Sequence, residues 1–229
     1  NNVYNVISDI NKGEFEANVS VGISQGAKAW VAVMVVDENG NFAITNPYWV
    51  EQVDRIYQDT AHWGLDAINY LSDLGAITGY PDGTFKPDNN ITRAEFAAII
   101  ARMSDFTPDE KLSDVKFSDV KEGSWYYDYV MELAKAGILN GYTDGTFKPN
   151  DMIARSEIAK ILAVIDGWDE NYKPGEKLAF SDIGGKWYTT YVQYLADNNL
   201  AKGYGDGTFR PDNNATRAES AQFIYNAVK

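Results

Sequence analysis

The sequence predicts a mainly α-helical fold: a pseudo-threefold body with a three-helix bundle at its centre, preceded by a short β-rich segment. Three observations predict it. An eighteen-residue pattern occurs three times at constant spacing, each copy sits between two amphipathic helical stretches, and residues 1–55 carry strand patterns but no copy of the repeat. The pattern reads GYPDGTFKPDNNITRAEF from residue 79, GYTDGTFKPNDMIARSEI from 141 and GYGDGTFRPDNNATRAES from 203, a step of 62 residues each time. The chain therefore divides into a β-rich segment at 1–55 and three repeats at 56–116, 117–179 and 180–229.

Residues 15–23 (FEANVSVGI) and the stretch from Lys28 to Val50 read as strands, with a turn at Asp37–Asn41 between Val31–Val36 and Phe42–Thr45. Asp37, Asn39 and Asn41 have the spacing that opens a calcium loop, but no distal glutamate accompanies them, so a hairpin turn is the expectation. Three short strands, as expected here, make a marginal sheet alone. The segment is expected to complete an upstream domain or to pack on the repeats. The most apolar run, Ala29–Val36, is too short to span a bilayer, and the start at Asn1 suggests a chain cut from something longer.

Each repeat opens on a turn: Tyr57-Gln58-Asp59-Thr60, Phe117-Ser118-Asp119-Val120 or Phe180-Ser181-Asp182-Ile183. A tryptophan follows at 63, 125 or 187, then a helix with an apolar stripe: Leu65, Ile68, Leu71, Leu74; Val130, Leu133, Ala134; Val192, Leu195, Ala196. Gly75, Gly137 and Asn198-Asn199 read as the helix stops. The Asp-Gly pairs at 82, 144 and 206 predict tight turns, with Phe85, Phe147 and Phe209 anchoring them and Pro87, Pro149 and Pro211 steering into a second helix. That helix is apolar at Phe96, Ile99, Ile100; Ile158, Ile161, Leu162; Ser220, Phe223, Ile224, so the three such helices are expected to bury their stripes against one another.

The start of the second helix poses a problem. Thr92 with Glu95, and Thr216 with Glu219, match a capping box, in which threonine and glutamate satisfy backbone N–H groups reciprocally. Capping does not explain Arg93 or Arg217, because the positive end of the helix dipole disfavours a cation there. In the second copy Ala154 replaces the threonine, at a cost of about 0.5–2 kcal/mol, yet Arg155 and Glu157 remain. A guanidinium beside free N–H groups makes a small anion site; an arginine bridged to a neighbouring acid is the other reading, and both stay open.

Composition bounds the function. Of 229 residues, 45% are hydrophobic, enough for globular cores, while 33 acids against 20 bases give a charge of −13 that disfavours nucleic acid and anionic membranes. No cysteine is present, which removes disulfides, thiolate metal sites and a cysteine nucleophile. His62, the one histidine, is accompanied by no nucleophile motif or metal spacing and reads as a helix-start residue. No cofactor or metal is expected.

The ordered set of F-S-D, W, G-Y-x-D-G-T-F-x-P and T-R-A-E, three times over residues 56–229, resembles the S-layer homology (SLH) domain triplet. The resemblance implies an exported bacterial protein, at the cell wall or S-layer, that docks noncovalently on a secondary cell-wall polymer, commonly through a terminal pyruvylated N-acetylmannosamine. It implies a pseudo-threefold spindle. Arg93, Arg155 and Arg217 would pair with the ligand's anionic group in grooves between repeats. Asp119 and Asp182, with Asp59, would hold sugar hydroxyls. Trp63, Trp125 and Trp187 would offer a wall for sugar rings, with core packing as the competing role, and the backbone at Gly79, Gly141 and Gly203 would allow a close approach. The partner is thus an anionic cell-wall polysaccharide, with an upstream fused domain as cargo. Ala154, Ser156 and the Y-Q-D-T opening depart from the pattern and imply unequal grooves.

Two other functions compete. A glycoside hydrolase would use paired carboxylates, but a catalytic pair has no use for threefold repetition. A self-assembling lattice unit is the remaining alternative to the binding module.

Overall fold

The computed structural model describes residues 57–59, 62–103 and 114–229, together with four strands between residues 28 and 51. The chain separates into two compact units, Asn1–Arg55 and Ile56–Lys229. In the first, β1 (Lys28–Val31) pairs antiparallel with β4 (Tyr48–Glu51), and β2 (Met34–Val36) with β3 (Phe42–Ile44). The stretch 15–23 and the turn at 37–41 lie outside the described residues.

Among the described residues the second unit holds six helices: α1 (Leu65–Asp73), α2 (Arg93–Met103), α3 (Tyr127–Lys135), α4 (Arg155–Ile165), α5 (Thr189–Asp197) and α6 (Arg217–Val228). It is mainly helical, two helices to a repeat. The first helices stop where expected, with Gly75, Gly137 and Asn199 at φ 70°, 73° and 60° just past their ends. Ile68, Leu71, Val130, Leu133, Val192 and Leu195 are buried, whereas Leu74 lies in the cap and is exposed. All nine stripe positions of the second helices are buried.

Their main partners differ from the expectation. α2 packs on α3, α4 on α5 and α6 on α1, while α4 and α6 touch less extensively. The second helix of each repeat thus covers the first helix of the next, and the last closes on the first. The reason is that a first helix also has an apolar stripe to bury, and pairing across repeats satisfies both stripes at once.

Backbone hydrogen bonds repeat the cycle. The Ile91 N–H donates to Ala215 O, Ala215 to Ile153 O, and Ile153 to Ile91 O, at 2.9–3.1 Å. Around this triangle Phe85, Phe147 and Phe209 are essentially fully buried, each worth roughly 1.5–3 kcal/mol. These phenylalanines hold the Asp-Gly turns against the body.

Candidate functional site

The helix starts do not offer free N–H groups. Arg93 N donates to Asp151 O and Ala94 N to Pro149 O; Arg155 and Ser156 do the same to Asn213 and Pro211, and Arg217 and Ala218 to Asn89 and Pro87, at 2.8–3.0 Å. The turn preceding each second helix therefore supplies carbonyls to the helix of the repeat before it. A bound anion is not needed to satisfy these donors, which corrects one half of the anion-site expectation.

Each arginine is buried, 4–8% exposed, and reaches into the next repeat. Its Nε donates to the carbonyl of the turn phenylalanine: Arg93 to Phe147, Arg155 to Phe209 and Arg217 to Phe85, at 2.8–2.9 Å. The guanidinium stacks between that phenylalanine and the tyrosine of the Gly-Tyr pair, with Tyr142, Tyr204 and Tyr80 centroids 4.8–5.0 Å away. Its acid is the capping glutamate of the next repeat. Arg93 Nη1 lies 2.6 Å from Glu157 Oε1, and Arg155 Nη1 2.9 Å from Glu219 Oε1. The other oxygen of each glutamate accepts the N–H that starts its own helix, from Ala154 and Thr216. One carboxylate thus closes a helix and binds the preceding repeat's arginine. That double use explains why Arg155 and Glu157 persist although Ala154 has no side-chain acceptor and the Glu157 N–H turns instead to the Ala154 carbonyl.

The junctions are unequal. Tyr142 and Tyr204 donate to Glu157 and Glu219 at 2.8 and 2.5 Å. Burial, then the bond to Glu157, pushes the Tyr142 hydroxyl up to about 12, and burial with Glu219 raises Tyr204, so both stay protonated donors. Where repeat 3 meets repeat 1, Arg217 stands 3.9 Å from Glu95 and bonds the Thr78 carbonyl instead.

Beside the arginines lie open grooves. One cavity of about 250 Å³ is lined by Arg217, by Gly79, Tyr80, Glu95 and Arg102, and by Trp125. A second, of about 700 Å³, is lined by Arg155, by Gly203, Tyr204 and Glu219, and by Trp63. Each takes its arginine, its Gly-Tyr pair and its tryptophan from three different repeats. The tryptophans are 56–63% exposed, which removes core packing as their role.

The aspartates do different work from the one expected. Both oxygens of Asp59 accept backbone bonds from Phe85 and Lys86, those of Asp119 from Phe147 and Lys148, and those of Asp182 from Phe209 and Arg210, at 2.7–2.9 Å. Lys86, Lys148 and Arg210 have φ 56°, a strained left-handed backbone that these carboxylates hold. None of the three lines either cavity. At Gly79, Gly141 and Gly203 the close approach is made by the ring of Tyr57, Phe117 or Phe180, which a Cβ would meet at 2.3–2.5 Å. Gly79 and Gly203 nevertheless line the two cavities.

His62, beside Trp63, accepts the Gly64 N–H on Nδ1, so its Nε2–H donates to Asp88 at 3.2 Å. It pins the start of α1 to the loop of its own repeat.

The pattern of the S-layer homology domain matches residues 56–97, 116–159 and 179–221, more than half of the chain. The chain belongs to the S-layer homology domain family. It is 36% identical over 67% of its length to a cellulosome-anchoring protein of Acetivibrio thermocellus, covering 35% of that protein. It is 33% identical over 71% of its length to an S-layer protein of Bacillus thuringiensis subsp. finitimus, covering 20% of it. An amylopullulanase of Thermoanaerobacterium thermosulfurigenes is 34% identical over 80% of the chain, which covers 10% of that enzyme. The chain thus spans about a third or less of these curated relatives. Family and relatives indicate a cell-surface, cell-wall-associated location for this SLH chain.

Sequence reasoning missed two participants of the SLH grooves: the tyrosines at 80, 142 and 204, and the capping glutamates as partners of the preceding repeat's arginine. The tyrosines recur at the same 62-residue step as the arginines, a signal that was available. The cross-repeat pairing had none, because it joins residues 64 positions apart along the chain.

Proposed function

We propose that this chain is a noncovalent cell-wall anchor that binds a secondary cell-wall polysaccharide in the grooves between repeats, through a pyruvylated N-acetylmannosamine terminus. The observation that carries the reading is the pair of residues bordering each described cavity, an exposed tryptophan and a buried arginine. An indole face suits the apolar side of a sugar ring, and the guanidinium supplies the charge for an anionic substituent. Cavities of about 250 and 700 Å³ are of a size to take one or a few sugar units. The relatives, an anchoring protein and an S-layer protein by name, agree with an anchor. The cyclic contacts of the six helices support a pseudo-threefold spindle about α2, α4 and α6. The proposal includes a fused upstream domain as the cargo, and no catalysis by the repeats themselves.

The test is retention of the chain on purified bacterial cell walls before and after chemical removal of the secondary polymer. Retention that disappears with the polymer is expected. Equal retention on stripped walls would overturn the reading.

A further inference from the structure

The junction between repeats 1 and 2 carries a half-buried cation with no ion pair among the described residues, whereas the added cations of the other two junctions are exposed. Position 160 is equivalent, by the 62-residue step, to Ala98 and Gln222, which line the two cavities described above. Here it is Lys160. The side chain is half-buried, and its ammonium stands over the Tyr191 ring at 6.0 Å with no acid within ion-pairing distance among the described residues. Tyr191 is backed by Trp168 at 4.3 Å and flanked by the exposed Trp187 at 6.4 Å. Trp187 is the equivalent of the tryptophan that borders each of the other cavities. Arg93, Tyr142 and Glu157 complete this junction, and Glu157 is already committed to Arg93, Tyr142 and the Ala154 N–H.

Arg93 takes up Glu157, so the half-buried Lys160 ammonium is left without an ion-pair partner among the described residues. Burial, and next the nearby Arg93 charge, hold the Lys160 ammonium below its ordinary range. The other junctions have additional cations too, but Arg102 and Lys202 are exposed, where solvent screens them. A half-buried cation gains more from an anion than an exposed one does.

Resting on the anchoring reading, we infer that this chain takes the carboxylate of its glycan preferentially at the junction of repeats 1 and 2, between Lys160 and Arg93, with the sugar against Trp187 and Tyr191. Lys160 then adds to an inequality that the Arg217–Glu95 spacing has already introduced.

Pyruvate itself is the probe, titrated into the isotopically labelled chain and followed by the NMR signals of the Trp63, Trp125 and Trp187 indoles and of the lysine side chains. Saturable shifts centred on Lys160 and Trp187 are expected. In Lys160→Gln, which installs the residue found at the equivalent position 222, affinity at that junction is expected to fall roughly tenfold. Gln222→Lys is expected to create a second responsive site, reported by Trp63. A thermal melt of each variant checks the fold. Shifts of equal size at all three tryptophans, or shifts unchanged in Lys160→Gln, overturn the inference. Polymer-dependent wall retention with no Lys160-dependent pyruvate response would leave the anchor standing and sink only the assignment to this junction, whereas equal retention on stripped walls would sink the anchor itself.

Discussion

The arginine and the tryptophan of each described cavity border the same space, yet they are built in opposite ways. Arg155 and Arg217 are 4% and 8% exposed, with guanidinium groups bonded to a carbonyl, stacked on aromatic rings and set near a glutamate. Trp63 and Trp125 are 63% and 58% exposed, with most of the indole facing solvent. A buried cation removed from its partner leaves an uncompensated carboxylate, whereas an exposed ring removed leaves only water. The comparison teaches that one groove separates its duties. The arginine holds two repeats together and forms the floor, while the tryptophan is free to meet a ligand.

The largest expected effect tests the floor. Arg93→Ala and Arg155→Ala are each expected to destabilise the repeat unit by about 3–5 kcal/mol in urea unfolding, since Glu157 and Glu219 lose a close ion pair. Arg217→Ala is expected to cost less, because Arg217 and Glu95 stand 3.9 Å apart. An Arg155→Ala variant as stable as the parent but unable to hold cell walls would break the comparison and make the arginine a pure ligand group.

Asn69 sharpens it from the opposite side. This side chain is 6% exposed with neither amide atom bonded, whereas the equivalent Gln193 accepts from Ala179 N and donates to Asp197. Asn69→Met copies Met131 of the second repeat and is expected to raise stability by about 1–3 kcal/mol in the same unfolding measurement. A loss of stability would mean that a buried polar group here needs no partner, contrary to the argument for the arginines.

Trp63→Ala is expected to change stability by no more than about 0.5 kcal/mol while lowering retention on polymer-bearing walls. A large loss of stability would assign the indole to the fold.

The smallest effect concerns exposed charge. Thr208, chiefly through its side-chain bond, and then Arg210 hold the Asp206 carboxyl at about 2. A depressed carboxyl stabilises the native turn above the unfolded value near 4 and loses that contribution as pH falls through its own. The Thr208 amide signal is therefore expected to shift only at the acid end, between about pH 4 and pH 2, with the overall fold unaffected by this group.

Much was legible in the sequence because it is local or periodic. The six helices follow from apolar spacing, and the stops at Gly75, Gly137 and Asn199 from their tolerance of left-handed backbone. The turns follow from Asp-Gly, and family membership from the threefold motif. Ala154, Ser156 and the Y-Q-D-T opening predicted unequal grooves, but the looser ion pair falls at Arg217–Glu95, which the motif did not signal.

What only the tertiary structure decided is which partner each repeated residue takes. The motif places an arginine and a glutamate two residues apart, but at that separation they point away from each other on a helix and cannot pair. Each instead finds its partner in a neighbouring repeat, because closing the cycle brings the start of one helix against the turn of the next. The aspartates were assigned outward and turned inward for the same reason: the strained turns use their bonding capacity before any ligand can, while Gly79 and Gly203 pack under an aromatic ring and still line the two cavities. The tryptophans went the other way, since the apolar stripes already fill the core. Sequence by itself determined the repeats and their helices; packing between repeats determined which side chains remain available.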